Sequence, residues 1–167
     1  MSNAPAVRHA RAGDVRQIHA LVEPLAHARV LLAKERVVYY ESLQEFRVAE
    51  VDGTVVGCGA LHVMWEDLAE VRTLAVSDRY RGHGIGNLLL DRLVDDAREL
   101  GVRRLFCLTF EVGFFARNGF EVIEGTPVDP DVFAELLRSH DDGVAEFLDL
   151  ARVKPNTLGN TRMLRTL

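Results

Sequence analysis

Residues 79–87 have the sequence RYRGHGIGN and run directly into LLLDRLVDDAREL, residues 88–100. Gly82, Gly84 and Gly86 therefore fall within five residues, just where a helix must begin. Glycine loses much conformational entropy on folding, so this cluster indicates that something approaches the bare backbone closely. The first-turn N–H groups of a helix have no intrahelical partners, and the helix dipole favours an anion there. The stretch is thus a candidate phosphate cradle, with an ordinary strand-to-helix turn as the alternative.

The pattern on both sides of this loop predicts a mixed α/β chain built round one sheet. A strand at 69–76 precedes the loop, and an amphipathic helix follows it to about Leu100, with Gly101 as its C-cap. We expect the helix to bury Leu88, Leu89, Leu93 and Ala97 and to expose Asp91, Arg92, Asp95, Asp96 and Arg98. A buried strand at 102–110 comes next.

Other elements follow from turn and capping signals. Asp14 predicts the start of a helix that carries Val15, Ile18, Leu21, Val22 and Leu25, and Pro24 predicts that it ends or kinks near Glu23. Asp52-Gly53 predicts a hairpin between strands at 46–51 and 54–63, and Glu66-Asp67 another turn. The remaining predicted elements are strands at 7–10, 119–122, 147–153 and within 154–167, and helices at 36–43, 114–118 and 130–139.

Bulk properties narrow the class of protein. The 167 residues suit one domain, over 1–167, with 48% hydrophobic and 27% charged residues. The net charge of −5 and the lack of a Lys/Arg-rich block argue against nucleic acid as a partner. Apolar runs such as 30–33 are too short to span a bilayer, and no export signal opens the chain, so we expect a cytoplasmic protein with no membrane partner.

The cysteines and histidines show no metal-ligand spacing. Cys58 and Cys107 each lie in an apolar strand-like run and are expected to be reduced core residues. The six histidines are scattered, and a packed or solvated role is the better expectation for His62 and His83. We therefore expect no metal.

An ordered series of motifs resembles the GCN5-related N-acetyltransferase (GNAT) family. It comprises AEVRTLAV at 69–76, RGHGIG at 81–86, RLFCLTF at 104–110 and FFARNGF at 114–120. Arg81-x-x-Gly84-x-Gly86 matches the family's acetyl-CoA pyrophosphate motif, and VRHARAGDV at 7–15 and the Asp52-Gly53 hairpin match as well. The resemblance implies a GNAT acyltransferase fold, α/β, with a central, mostly antiparallel sheet, a splayed strand pair and flanking helices. It also implies acetyl-CoA as co-substrate.

The resemblance implies how this chain would hold acetyl-CoA. Amides from Gly82 to Asn87 would converge on the pyrophosphate, with the helix N-terminus behind them. The strand before the loop would carry a bulge and splay from its neighbour, which leaves backbone groups of 74–76 to pair with the pantetheine. The cofactor-binding residues expected are Leu74, Ala75, Val76, Arg81, Gly82, His83, Gly84, Ile85, Gly86, Asn87 and Phe115.

Attack of an amine on a thioester needs a base, oxyanion donors and a proton for the leaving thiolate. Glu70 is the candidate base, directly or through water, and a surface glutamate paired with an arginine is the alternative. The backbone N–H of Val76 or a near neighbour is the expected oxyanion donor. Many family members have a tyrosine acid where this chain has Phe115, so protonation is left to Thr73, Thr109, water or solvent.

Further pieces resemble the acetyltransferase domain of N-acetylglutamate synthases, the first enzymes of arginine biosynthesis. These are VLLAKER at 30–36, VVGCGALHV at 55–63 and LAEVRTLAV at 68–76. The closer resemblance implies a short, stand-alone enzyme that acetylates the α-amino group of L-glutamate. In the C-terminal LGNTRML, Gly159 stands where the family is expected to have a substrate-binding arginine. Lys154 or Arg162 would then have to supply the missing positive charge. The implied substrate-binding residues are Lys34, Arg72, Thr73, Thr109 and Asn160.

The residues themselves support this acceptor in part. Glutamate carries two carboxylates, so its site needs at least one cation, and Lys34 is the first choice, ahead of Arg36. A polyamine site would need acidic groups instead. Glutamine, another small amine, a peptide N-terminus or a lysine stay open as acceptors. A non-catalytic acyl-CoA sensor and assembly as a homodimer also stay open.

Overall fold

The computed structural model describes residues 3–28, 31, 34–157 and 159–167. Part of the VLLAKER motif and Leu158 of LGNTRML lie outside these residues. The strands are β1 (Ala6–His9), β2 (Phe46–Val51), β3 (Thr54–Trp65), β4 (Leu68–Val76), β5 (Arg104–Thr109), β6 (Glu121–Val122) and β7 (Thr161–Thr166). The α-helices are α1 (Val15–His27), α2 (Arg36–Glu41), α3 (Ile85–Glu99), α4 (Val112–Arg117), α5 (Pro130–Leu136), α6 (Asp142–Phe147) and α7 (Lys154–Thr157). The chain forms two compact units, Met1–His62 with Val71–Leu100, and Val63–Glu70 with Gly101–Leu167.

The strands form one seven-stranded sheet in the order β1-β2-β3-β4-β5-β7-β6. β2 is antiparallel to β1 and β3, and β7 is antiparallel to β5 and β6. The β4–β5 pair is parallel, and its register joins Leu68–Glu70 to Arg104–Phe106 while β4 continues to Val76. The predicted α/β fold, with a mostly antiparallel sheet and a splayed strand pair, is confirmed.

In the first unit, α1 begins where Asp14 predicts, but the Asp14 side chain does not cap the first turn of the helix and instead bonds residues that precede it. Its carboxylate accepts from the Arg11 backbone N–H at 2.7 Å and pairs with Arg8, so it fastens β1 to the start of the helix. The prediction that Pro24 ends α1 near Glu23 is wrong, because the helix continues to His27. Proline removes only one backbone donor, and here that loss falls close to the end of the helix.

The predicted Asp52-Gly53 hairpin is confirmed. Asp52 and Gly53 have φ values of 50° and 80°, as a tight hairpin turn requires, and they join β2 to β3. Behind this hairpin, Val15, Ile18 and Val22 of α1 pack into a core with residues of the two strands. The predicted helix at 36–43 is α2, followed by a short 3-10 turn at Leu43–Glu45.

Helix α3 follows the glycine loop as predicted and buries Leu89, Leu93 and Ala97. Leu88, expected on the buried face, is 42% exposed, and Leu90 is fully buried instead. Asp96, expected to face solvent, pairs with Arg47 of β2 at 2.7 Å. The burial stripe of α3 is therefore rotated from the predicted one.

In the second unit, the predicted strand at 147–153 is wrong. Residues 142–147 form α6, which Asp141 caps by accepting the Val144 N–H at 2.9 Å, and 151–153 form a 3-10 turn. Val144, Phe147 and Leu148 recur at helical spacing and pack with Phe106 of β5. The apolar run is thus one face of a short helix. The predicted last strand is β7, which lies between β5 and β6.

Candidate active site

The glycine loop adopts the conformations that its sequence requires. After a 3-10 turn at Asp78–Tyr80, Gly82 and Gly84 have φ values of 78° and 79°, a region that side-chain-bearing residues rarely adopt. A Cβ at either glycine would meet no protein atom within 4 Å. Backbone conformation and access to the backbone, rather than protein packing, therefore demand glycine here, as expected of a loop that receives a ligand.

The loop is tied to the start of α3. Gly84 is the N-cap residue, and its carbonyl accepts the Leu88 N–H at 3.1 Å. Ile85 is buried and anchors the first turn, whereas Arg81 and Asn87 are exposed. His83 Nδ1 lies 2.9 Å from the Arg81 carbonyl oxygen, which it can bond only as an N–H donor. Together these contacts present the first-turn amides of α3 as a site for an anion.

Strand β4 carries the irregularity that the splayed pair requires. Thr73 has a φ of 56°, far from an extended backbone, in the middle of the strand. Its carbonyl oxygen accepts the Cys58 thiol at 3.4 Å, and its hydroxyl accepts the Lys34 ammonium at 3.4 Å. Thr73 and Lys34, two of the predicted substrate residues, are therefore in contact, and Arg72 lies half-buried next to Thr73.

The rest of β4 in this unit leads to the loop. Ala75 is buried, while Leu74 and Val76 are half-buried and pack with Ile85 and Leu89 of α3. A Cβ at Gly59 would lie 2.9 Å from a Leu74 methyl carbon, so a side chain there would disturb this strand. The cofactor-binding residues predicted in 74–76 and 81–87 thus belong to one strand–loop–helix segment.

In the second unit, Glu70 is a buried carboxylate, 5% exposed, opposite Phe106 in the parallel register of β4 and β5. Burial raises the pKa of the neighbouring Cys107 thiol, and the Glu70 charge adds to that rise. A carboxylate kept in a largely apolar strand fits a general base better than a surface residue. Glu70 is therefore not an exposed surface residue, and its role as the base stays a prediction.

Thr109, Phe115 and Asn160 also lie in the second unit. Thr109 is buried at the end of β5, and its hydroxyl oxygen accepts the Glu111 N–H at 2.8 Å. Phe115 is buried in α4, and its ring is 5.1 Å from that of Phe120. Asn160 directly precedes β7. The phenyl ring has no proton to give, so Phe115 cannot act as the acid, and its contact with the cofactor stays a prediction.

The two cations expected to compensate for Gly159 have other partners. Lys154 forms an ion pair with Asp149. Arg162 donates to the backbone carbonyls of Gly125, Glu146 and Phe147, and its guanidinium lies 5.0 Å from the centre of the Phe106 ring. Burial lowers the pKa of Arg162 below its ordinary value. Both therefore have structural partners that sequence reasoning missed: a carboxylate five residues away for Lys154, and backbone carbonyls, which a sequence pattern does not show, for Arg162.

Other features lie apart from these residues. Within the described residues, no group of three or more His, Cys, Asp or Glu side chains is arranged to hold a metal ion. A cavity of about 440 Å³ in the second unit, at the β3–β4 turn, is lined by Trp65, Asp67 and Arg104 among others and includes no predicted site residue. In the described part of the chain, no helix has the length and apolarity needed to cross a bilayer.

The chain belongs to the acetyltransferase (GNAT) family, whose pattern its residues 15–120 match. It is 57% identical over 166 residues to an amino-acid acetyltransferase of Mycobacterium tuberculosis, an alignment that covers 98% of this chain and 95% of that protein. It is also 38% identical over 117 residues to an amino-acid acetyltransferase of Neisseria meningitidis, covering 69% of this chain but only 27% of the longer protein.

Solved structures support the same family. The M. tuberculosis protein Rv2747, solved in complex with CoA and NLQ, superimposes with a TM-score of 0.94 at 57% identity, over 97% of this chain and 99% of that one. An N-acetylglutamate synthase from Neisseria gonorrhoeae, complexed with CoA and N-acetyl-glutamate, superimposes with a TM-score of 0.78 at 28% identity. That alignment covers 99% of this chain and 35% of the synthase. Acetyl-CoA is the co-substrate of this family, and two of these neighbours are solved with CoA.

Proposed function

We propose that this enzyme transfers the acetyl group of acetyl-CoA to the α-amino group of L-glutamate. The chain is an acetyl-CoA-dependent amino-acid N-acetyltransferase. The proposal concerns which amino acid accepts the acetyl group. The observation that carries the proposal is the Lys34 ammonium, held at the Thr73 hydroxyl on the strand that also carries Glu70. A cation fixed beside that strand suits an acceptor with a carboxylate close to its reacting amine.

Each chemical need of the transfer has a candidate group in this chain. Glu70 takes the ammonium proton of the acceptor, directly or through water, so that the amine nitrogen can attack the thioester carbon. The Val76 N–H, or a near neighbour, stabilises the oxyanion that forms. The carbon–sulfur bond then breaks and the CoA thiolate leaves, while the nitrogen loses its second proton to solvent and the amide product forms.

The thiolate must finally gain a proton, and Phe115 cannot supply one. The Thr109 hydroxyl oxygen accepts the Glu111 N–H, which leaves its own O–H hydrogen to donate. The Thr109 hydroxyl and solvent are therefore the proposed proton sources.

L-Glutamine is the second candidate acceptor. It shares the α-carboxylate of glutamate and lacks the second one, and Lys34 alone can satisfy a single carboxylate. Arg162 and Lys154 were the candidates to bind the side-chain carboxylate of glutamate. Arg162 instead bonds backbone carbonyls and Lys154 pairs with Asp149, which favours glutamine as the acceptor. Polyamines lack a carboxylate and are poor fits to Lys34.

The proposal places the whole chain in one N-acetyltransferase domain, in the cytoplasm, at the first step of arginine biosynthesis. The neighbours named N-acetylglutamate synthase and amino-acid acetyltransferase support the assignment to arginine biosynthesis. It requires a small-molecule acceptor and no nucleic acid.

A screen of free amino acids with acetyl-CoA, following CoA release with a thiol reagent, tests the proposal. We expect glutamate to be the best acceptor, glutamine to be measurable, and lysine and spermidine to be poor. Faster acetylation of spermidine or of a peptide N-terminus would refute the glutamate assignment. Tight acetyl-CoA binding without turnover of any amine would instead indicate an acyl-CoA sensor.

A further inference from the structure

The backbone of Thr73 is unusual for its residue type. In the described part of the chain, three residues other than glycine have a positive φ: Asp52, Thr73 and Asp149. Aspartate tolerates this region, whereas for a β-branched residue such as threonine it is a genuine outlier. Such a conformation persists only where the surrounding structure determines it, and it concentrates at functional sites.

The surroundings of Thr73 supply two specific bonds. Its carbonyl oxygen accepts the thiol of Cys58, which is fully buried in β3. Burial raises the pKa of that thiol to about 12, so it stays protonated and remains a donor at neutral pH. The Thr73 hydroxyl oxygen accepts the Lys34 ammonium at 3.4 Å, and Thr73 itself is 7% exposed. The backbone and the side chain of Thr73 thus each have a bonding partner.

We propose that Thr73 is a positioning residue, whose left-handed backbone directs its hydroxyl to Lys34 and so fixes the ammonium that binds the acceptor's carboxylate. This inference rests on the proposed function, because it assumes that Lys34 binds that carboxylate. A lysine ammonium is a point charge on a flexible four-carbon stem, and it gains direction only from a fixed partner. Fixing it in advance lowers the ordering cost of binding the acceptor.

The role of Thr73 predicts where its loss is felt. The hydroxyl acts on the carboxylate end of the acceptor through Lys34, so its removal weakens acceptor binding. A group that acts on the reacting atoms would instead lower kcat. Discrimination between an amino acid and its carboxyl amide should fall as well, because the amide never used the positioned charge.

Steady-state kinetics of Thr73→Val, which keeps the shape and removes the hydroxyl, test this prediction. We expect KM for glutamate to rise about tenfold, with kcat and the acetyl-CoA Kd nearly unchanged. Thr73→Ser should restore KM to within about threefold of wild type, and the control Thr54→Val, at the exposed start of β3, should behave as wild type. An unchanged KM in Thr73→Val, or a fall confined to kcat, overturns the inference.

A glycine variant separates strain from function. Thr73→Gly accepts a positive φ without strain, so it should unfold at a temperature no lower than that of Thr73→Val. Its KM for glutamate should nevertheless be as high as that of Thr73→Val, because the hydroxyl is gone. A glycine variant with wild-type KM would show that the hydroxyl positions nothing.

A measurement on the free enzyme keeps this inference apart from the proposed function. The rate at which an amine-acylating reagent modifies Lys34, followed by peptide mass spectrometry, should rise severalfold in Thr73→Val and return in Thr73→Ser. If wild type acetylates neither glutamate nor glutamine but this pattern holds, the proposed function fails and the positioning of Lys34 stands. If wild type acetylates glutamate and Lys34 reactivity is the same in all variants, the positioning role fails alone.

Discussion

Replacing Lys34 by alanine is the sharpest test of the acceptor. The ammonium lies half-buried at the Thr73 hydroxyl, so a carboxylate bound there would be partly withdrawn from water. Losing the charged partner of such a hydrogen bond costs about 1.5–3 kcal/mol. Since about 1.4 kcal/mol corresponds to a factor of ten, kcat/KM for glutamate should fall roughly ten- to over a hundredfold.

The assay measures initial rates of CoA release at varied glutamate, with acetyl-CoA saturating, for Lys34→Ala and for Arg36→Ala. Arg36 opens α2 on the exposed surface two residues away, so its variant controls for loss of a nearby positive charge. The acetyl-CoA Kd, measured by calorimetry, should be the same in all three proteins, because the loop at 82–87 is intact. Full glutamate activity in Lys34→Ala would refute the reasoning, and a large loss in Arg36→Ala would transfer the role to Arg36.

Three further outcomes are expected. Gly84→Val should abolish acetyl-CoA binding in a folded protein, because Gly84 has a φ of 79° and the valine side chain would occupy the expected pyrophosphate position. Calorimetry measures this binding, and Gly13→Val, which should bind acetyl-CoA normally, is the control. Glu70→Gln should lower kcat by roughly 10²–10⁴ with little change in acetyl-CoA affinity, and normal turnover across the pH range would make Glu70 a structural residue. Asp14→Asn should lower the free energy of unfolding at pH 7 by about 1.5–3 kcal/mol, because its bond to Arg8 holds the Asp14 pKa below its ordinary value. That stabilisation is present above the unfolded-state pKa and is lost as pH falls through the folded one, so denaturant titrations at pH 7 and pH 3 should show the difference shrinking in acid.

Elements with strong local signals could be predicted from the sequence. The Asp52-Gly53 hairpin and the positive-φ glycines before α3 both follow from turn and capping chemistry, which depends on neighbouring residues. The prediction of a strand at 147–153 was wrong because a short apolar run fits either a strand or one face of a helix. The Asp141 cap and packing against Phe106 favour the helix α6 over a strand.

The site shows the same division between local and distant determinants. The phosphate cradle lies within one continuous segment, so its residues could be predicted together, and Glu70 was placed by a motif on the adjoining strand. The neighbouring residues do not predict the positive φ of Thr73, because threonine favours extended conformations and the two residues that bond Thr73 lie far along the chain. Cys58 and Lys34 reach it from β3 and from the segment before α2, and each supplies one hydrogen bond. A residue that departs from its own conformational preference and bonds two partners far along the chain is typical of a functional site, where strain is held by the surrounding structure.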